Sequence, residues 1–406
     1  MITATCTVRM SGVCLDARTV AVGTLTRRQD VLIHPRQETF DPEMTDVELT
    51  GTDEERVALE SVVASRAAQY LGLPAGASAS SELTSVDLRL ASRLYRFLVG
   101  SQHVSQRIIV KVPLARPMTH EGGRPLLAPR TPAVLKASLE FRALTVIDRS
   151  LTERADPRIA AVRPLDFLPE RSALVMEDAG EPDLRRVIRA AVLSRPGSAN
   201  RARLLRGFHN AGLWLRALHA MPFEHAEARR STIAELMIDV DASLDYLRSR
   251  VDRRIVDAVA VGMLRALSAM REPTLAACHG DFAMRNVLVD GLGRVRAIDV
   301  LGRWRTPIFE DVAYFLNGMR VHRFDTFLTR RASERMVAGW EAAFLDGYFG
   351  VEEVPAADLR AYRGFLYLDR WTAMVDRRAK APRRRLPRPA FADARMGRLV
   401  LSMLQG

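Results

Sequence analysis

The residues His279-Gly280-Asp281-Phe282-Ala283-Met284-Arg285-Asn286-Val287-Leu288-Val289-Asp290, followed by Val295-Arg296-Ala297-Ile298-Asp299, carry the side chains of this chain best suited to chemistry. A carboxylate at Asp281 can orient an attacking hydroxyl and take its proton. The oxygens of Asn286 and Asp299 can hold magnesium on phosphate groups. Phosphoryl transfer asks for these parts, because it depends on positioning and charge stabilisation more than on covalent help from the protein.

Spacing turns a set of polar residues into a site. Asn286 stands five positions after Asp281, as in the H-R-D-x-x-x-x-N loop of protein kinases. Asn286 to Val289 reads as a short strand, Asp290-Gly291-Leu292-Gly293 as a turn, and Arg294 to Val300 as the return strand. A tight hairpin returns Asp299 to the neighbourhood of Asn286. Two hard oxygen ligands then face one cation, the arrangement magnesium takes when substrate phosphates supply the rest.

With Ile298-Asp299 and Glu310-Asp311-Val312-Ala313 added, the pattern resembles that of the aminoglycoside phosphotransferase and choline kinase-like family. The resemblance covers roughly Glu82 to Asn317 and is sharp from Leu275 to Phe315. It implies an α+β, protein-kinase-like two-lobed fold, with a small antiparallel-sheet N-lobe and a larger, mostly helical C-lobe. It implies transfer from ATP, with magnesium, to a hydroxyl of a small molecule: a sugar, polyol, amino alcohol or antibiotic. Asp281 then serves as catalytic base and Asn286 and Asp299 as metal ligands. His279 and Asp311 support the loop, and Arg285 flanks Asn286 where it would touch a phosphate or an anionic acceptor, or else be a surface arginine.

A nucleotide-holding lobe should precede the loop. Lysine and arginine total 60, yet lysine stands only at Lys111, Lys136 and Lys380. Lys111 ends the β-branched run Arg107 to Val112, which reads as a buried strand. In the kinase pattern such a lysine binds the α- and β-phosphates and pairs with a glutamate on the next helix. Pro132 to Ile147 has apolar residues at helical spacing and contains Glu140, the expected partner. Lys136 reads as solvated on the polar face of that helix, and Lys380 as part of a basic tail.

Ile159 to Leu168 and Ala173 to Met176 read as strands. The exit Met176-Glu177-Asp178-Ala179 resembles the family's hinge, where backbone groups would meet adenine. No G-x-G-x-x-G precedes Lys111. The strands Leu83 to Leu90 and Arg93 to Val99 are joined at Ala91-Ser92, so the phosphates would meet backbone amides and the Ser92 hydroxyl. Use of GTP stays open. Phe208 to His219 reads as an amphipathic helix with His219 structural. No histidine has a cysteine or carboxylate at zinc-binding spacing in the sequence.

Composition bounds the rest. A chain of 406 residues, 48% hydrophobic, suits two lobes. It has no apolar run long enough to span a membrane, and the start reads as a poor signal peptide. Cys6, Cys14 and Cys278 include no C-x-x-C pair, which suits a reducing cytoplasm. The net charge is +12, concentrated only in 377–385. That run lacks the marks of sequence-specific nucleic-acid binding and fits weak contact with an anionic membrane. The same charge argues against a polycationic acceptor. Asp325, Glu334, Glu341, Asp346, Asp369 and Asp376 lie where the family builds its acceptor site.

The expected organisation is an irregular extension over 1–48, a nucleotide-binding N-lobe with a leading helix over 49–178, and a helical C-lobe over 179–406. Asp53 to Leu71 reads as that helix, 72–81 as a linker, and 116–131 and 194–200 as loops. The competing expectation is a kinase-fold nucleotide-binding or scaffold protein without catalysis. Gly280, in place of arginine, argues against a protein kinase.

Overall fold

The computed structural model describes residues 53–89, 91–114, 132–195, 197–223, 226–321, 330–380 and 389–405. The extension expected over 1–48, the loop over 116–131 and residues 381–385 of the basic run lie outside them.

Strands β1 (Ser80–Leu88), β2 (Ser92–Gly100), β3 (Ser105–Pro113), β4 (Pro164–Leu168) and β5 (Ala173–Glu177) form an antiparallel sheet in the order β1-β2-β3-β5-β4. Helices α1 (Asp53–Tyr70) and α2 (Ala133–Arg154) belong to the same lobe. Successive side chains on a strand face opposite ways, and β3 shows the consequence. Ile108, Val110 and Val112 join a core with Leu59, Val63, Ala67 and Tyr70 of α1. Ile109 joins a separate cluster with Leu144 of α2, Leu174 and Met176. Lys111 shares the face of Ile109, so the sheet that buries one side against α1 turns its lysine toward α2. Each apolar side chain fully removed from water in this way contributes about 1.5–3 kcal/mol.

The strand expected over 159–168 begins only at Pro164; Ile159 instead bridges Val295. Lys136 departs from expectation more clearly. It is 6% exposed, and its ammonium donates to the Leu114 carbonyl at 3.3 Å. The carbonyl at the end of β3 draws it inward, which helical periodicity alone does not reveal.

The larger lobe holds α3 (Leu184–Val192), α4 (Ala199–His219), α5 (Ile233–Arg248), α6 (Arg253–Ser268), α7 (Ile308–Val321), α8 (Arg330–Phe349), α9 (Ala356–Lys380) and α10 (Pro389–Gln405). A small sheet of β6 (Glu227–Ala228), β10 (Trp304–Pro307) and β7 (Leu275–Ala277) and a hairpin of β8 (Val287–Val289) and β9 (Val295–Ala297) complete it. Among the described residues, no helix is long and apolar enough to cross a membrane.

Helix α4 is the scaffold of this lobe. Phe208, Ala211, Trp214, Leu215 and Leu218 are buried along it at spacings of three, three, one and three. It meets α8 backbone to backbone: a Cβ added at Gly212 would lie 2.2 Å from the Phe344 carbonyl oxygen, and one at Gly347 only 1.9 Å from that of His209. Glycine is required at both positions, and the approach brings Tyr348 of α8 to His219 of α4.

Candidate active site

The loop after β7 alternates between buried and partly exposed side chains. Phe282 and Met284 are buried, while Asp281 and Arg285 stay partly exposed. Trp214 of α4 stacks on Phe282 with ring centroids 5.8 Å apart and donates its indole N–H to the Ala160 carbonyl at 2.9 Å. The Met284 carbonyl accepts from the Leu184 amide at 3.1 Å. Apolar anchoring on one side thus aims the polar side chains to the other.

Asp311, at the start of α7, ties the loop from beneath. Its carboxylate accepts from the His279 amide at 2.6 Å and the Gly280 amide at 2.9 Å. Gly280 takes φ +80°, a conformation that costs a residue with a Cβ about 1–2 kcal/mol. The His219 ring reaches Asp311 Oδ2 at 3.3 Å through Nε2 and the Tyr348 hydroxyl at 2.7 Å through Nδ1. Burial would raise the Asp311 carboxyl, but the His219 bond and the neighbouring His279 outweigh it and hold it below its usual range. The His279 ring meets the Ile298 carbonyl at 3.0 Å through Nε2 and accepts from the Asp281 amide at 3.4 Å through Nδ1, joining the loop to the return strand.

The fold brings Cys278 and Asp311 to His219, with ligand atoms within 4.8 Å of one another. Sequence spacing does not reveal that grouping. Hydrogen bonds account for it: the thiol donates to the Thr306 carbonyl at 3.5 Å, and Asp311 is engaged with the loop amides. Burial pushes the Cys278 thiol well above its ordinary value.

The hairpin closes as its chemistry demands. The Asp290 carboxylate accepts from the Leu292 and Arg294 amides, each at 2.8 Å. The left-handed turn residue is Gly293, at φ +93°, rather than Gly291. A Cβ there would stand 2.9 Å from the Arg206 side chain of α4. Beyond the turn, the Asn286 carbonyl accepts from the Ile298 amide at 3.0 Å, so Asp299 follows directly on the pairing partner of Asn286.

Asp281 and Asn286 are in contact. The Asn286 side-chain amide donates to the Asp281 carbonyl at 2.9 Å and to its Oδ2 at 3.1 Å. Arg285 donates to both Asp281 oxygens, at 2.8 and 2.6 Å. Tyr314, one turn along α7 from Asp311, hydrogen-bonds Asp281 and Arg285. Burial and the Asp281 charge push its phenol up to about 12.

Lys111 lies 2.7 Å from both oxygens of Glu140 and 2.6 Å from Asp299 Oδ1. Burial opposes its charge, but Asp299 and Glu140 outweigh that effect and hold the ammonium above its ordinary range. Asp299 is held below the usual carboxylate range, because Lys111 offsets the effect of desolvation. Burial shifts Glu140 the other way despite Lys111. Asp299 adopts φ +67°, a left-handed conformation that few residues with a Cβ take and that concentrates at functional sites. Its side chain remains 44% exposed where it meets Lys111. Asn286 and Asp299 offer hard oxygens, a donor set that fits an alkaline-earth cation rather than a soft metal.

The residues expected to form the hinge continue from β5. The Glu177 amide donates to the Arg163 carbonyl at 3.0 Å and the Asp178 amide to that of Arg107 at 2.9 Å. The Asp178 carboxylate accepts from Arg96 at 2.6 Å and, through its other oxygen, from the Gly180 amide at 3.0 Å. Arg296 of β9 contacts Glu177 and Glu181, linking the hinge to the hairpin. Ser92 is buried at the start of β2, paired with Pro113 and two residues before Leu94, the partner of Lys111.

Several site residues escape sequence reasoning. Leu94, Ile109 and Met176 from the sheet meet Leu288 and Ile298 from the hairpin in one apolar cluster beside Lys111. Strand alternation around Leu288, between buried Val287 and Val289, was the available signal. Helical periodicity from Asp311 could have pointed to Tyr314. The described acidic residues expected near the acceptor have various partners and burial. Glu341 is buried between Arg320 and Arg363, Asp346 contacts His209, and Asp376 accepts from Tyr246. Asp369 is buried and Glu334 exposed, while Asp325 lies outside the described residues.

No protein-family model matches the sequence. No curated protein matches it either. Among solved structures, the amicoumacin kinase hAmiN, in complex with AMP-PNP, Ca2+ and Ami, is similar with a TM-score of 0.50 at 11% identity, over 86% of this chain and 94% of that one. Aminoglycoside phosphotransferase APH(4)-Ia gives a TM-score of 0.49 at 12% identity over 86% of this chain and 98% of its own. A choline/ethanolamine kinase family protein from Mesorhizobium loti gives 0.44 at 16% identity over 84% and 93%. The chain therefore has a kinase-like fold, a small antiparallel-sheet lobe and a larger helical one, as in the amicoumacin kinase structure.

Proposed function

We propose that this protein transfers the γ-phosphoryl group of ATP, with magnesium, to a hydroxyl of a small molecule. One observation carries the reading: Asp281 and Asn286 are in contact, Asp299 follows the partner of Asn286, and Lys111 joins Asp299 to Glu140.

In this reading, residues 49–178 hold the nucleotide and 179–406 hold the loop and the acceptor. The base lies between Leu94, Ile109 and Met176 above and Leu288 and Ile298 below. The Glu177 and Asp178 amides are engaged in backbone bonds, so the hinge offers the base the Ala179 amide and the Glu177 carbonyl. Lys111, oriented by Glu140, reaches the α- and β-phosphates, and Ser92 flanks them. Guanine reverses adenine's donor and acceptor at these positions, so GTP would need a shifted pairing with the same backbone. Asn286 and Asp299 would hold magnesium, which supplies charge neutralisation at the phosphates when bound.

Asp281 orients the acceptor hydroxyl and accepts its proton as the oxygen bonds to phosphorus and the bond to the β-phosphate breaks. His279 and Asp311 keep Asp281 in place through the loop backbone. The cysteine pattern supports a cytoplasmic setting. The test is ADP release with ATP and magnesium across sugars, polyols, amino alcohols and antibiotics, alongside the melting shift caused by ATP-magnesium. Full activity in Asp281→Asn overturns the role of Asp281. Absence of both the shift and any turnover overturns the kinase reading.

A further inference from the structure

We infer that the acceptor carries a carboxylate or phosphate beside its reacting hydroxyl, and that Arg285 receives this anion in exchange for Asp281. The inference rests on the kinase reading and names its substrate class.

Both oxygens of the Asp281 carboxylate are taken by one nitrogen of Arg285, at 2.8 and 2.6 Å. The reacting hydroxyl needs one of those oxygens. A hydroxyl bonding the same carboxylate competes with the guanidinium that spans both oxygens, and an oxyanion beside that hydroxyl offers the guanidinium a replacement partner. Arg285 and Asp281 are each 39% exposed, so the pair is open to exchange from solvent. Tyr314 contacts both members and keeps the guanidinium near as the carboxylate is released. An acceptor with its anion two or three bonds from the hydroxyl spans the two residues at once.

The surrounding charge points the same way. Trp304 lies between two guanidiniums, Arg229 at 4.6 Å and Arg303 at 4.4 Å from its ring. The Trp304 carbonyl accepts from the Cys278 amide at 3.1 Å, so these arginines, one just after β6 and one just before β10, flank a residue bonded to the loop three positions before Asp281. The nearby acids are engaged inward: Glu310 and Asp239 on Arg230, and Asp311 on the loop amides. A cationic acceptor would bring its charge against Arg285 and find those carboxylates paired.

The experiment measures ADP release with ATP and magnesium over size-matched sets: glycerate, glycerol phosphate, glycerol and choline, then glucose 6-phosphate, gluconate, glucose and glucosamine. An anionic member should exceed its neutral and cationic counterparts at least tenfold in kcat/KM, and comparing carboxylate with phosphate identifies the anion. Arg285→Gln should lower that preference at least tenfold, chiefly through KM, with the melting shift from ATP-magnesium retained. Arg285→Lys should restore part of it. Equal or better turnover of a neutral or cationic member overturns the inference and leaves the kinase reading standing, as does an equal loss for all acceptors in Arg285→Gln. If ATP-magnesium neither shifts melting nor is consumed, both fall.

Discussion

The ammonium of Lys111 lies 2.7 Å from each carboxylate oxygen of Glu140, joining the central strand of the sheet to the helix behind it across 29 residues. Both residues are buried. Lys111→Met leaves Glu140 as a buried charge without its partner and should cost about 3–5 kcal/mol. Lys111→Met combined with Glu140→Met removes both charges and should recover most of that loss without restoring turnover. Urea unfolding of the two variants beside a kinase assay checks both halves.

Asp281→Asn keeps the shape of the side chain and its contact with Asn286, but it takes away the carboxylate that accepts the proton. Turnover should fall by about 10²–10⁴-fold. Nucleotide affinity should hold within about threefold, since the residue faces the acceptor. Calorimetric titration with a non-hydrolysable ATP analogue separates the two quantities.

Asp311 governs acid sensitivity. Its folded value is depressed, so its stabilisation is present above the ordinary carboxyl value of about 3.9 and is lost as pH falls through the lower folded value. Wild type should exceed Asp311→Asn in unfolding free energy by a constant margin from about pH 7 to 5, and the margin should shrink below about pH 4. Asp311→Ala leaves the His279 and Gly280 amides without this acceptor, costing about 1–3 kcal/mol for each that stays buried and unpaired. A margin that grows toward low pH would contradict the assignment.

Three glycines should respond in three ways. At Gly347 a Cβ would meet the His209 carbonyl oxygen at 1.9 Å, so Gly347→Ala forces α4 and α8 apart and should cost about 3 kcal/mol. At Gly280 the space is open but φ is +80°, and Gly280→Ala should cost about 1–2 kcal/mol while displacing Asp281. Gly339 lies inside α8 with nothing within 4 Å of an added Cβ, and Gly339→Ala should stabilise by about 0.5–1 kcal/mol. Thermal melting orders the three variants.

Cys278 should resist alkylation in the native state at pH 8. Burial raises its thiol, and the sulfur is committed to the Thr306 carbonyl. Iodoacetamide followed by peptide mapping should find it unmodified until urea is added. Rapid native labelling would show that the loop anchor opens readily.

Much of this architecture follows from local pattern. The lysine strand announces itself by a β-branched run and the glutamate helix by a period of 3.6, and both form where expected. The run from Asp281 to Asp299 is short enough for turn chemistry alone to close it. The contact of Asn286 with Asp281 and the pairing of Asn286 with Ile298 were therefore legible in spacing. Lys136 departs from the expected solvated face because its partner, the Leu114 carbonyl just beyond β3, has a position no helical pattern encodes.

Residue types and short-range spacing determined which groups could do chemistry here, because hairpin and helix geometry act over a few residues. Long-range packing decided how those groups are held and what surrounds them. Backbone contact at Gly212 and Gly347 brings Tyr348 to His219, His219 braces Asp311, and Asp311 holds the loop. Each of those steps joins segments distant in sequence through close approach and desolvation. Such effects exist only once the chain has folded back on itself, so Tyr314 beside Asp281 and Asp299 beside Lys111 were a matter for the tertiary structure.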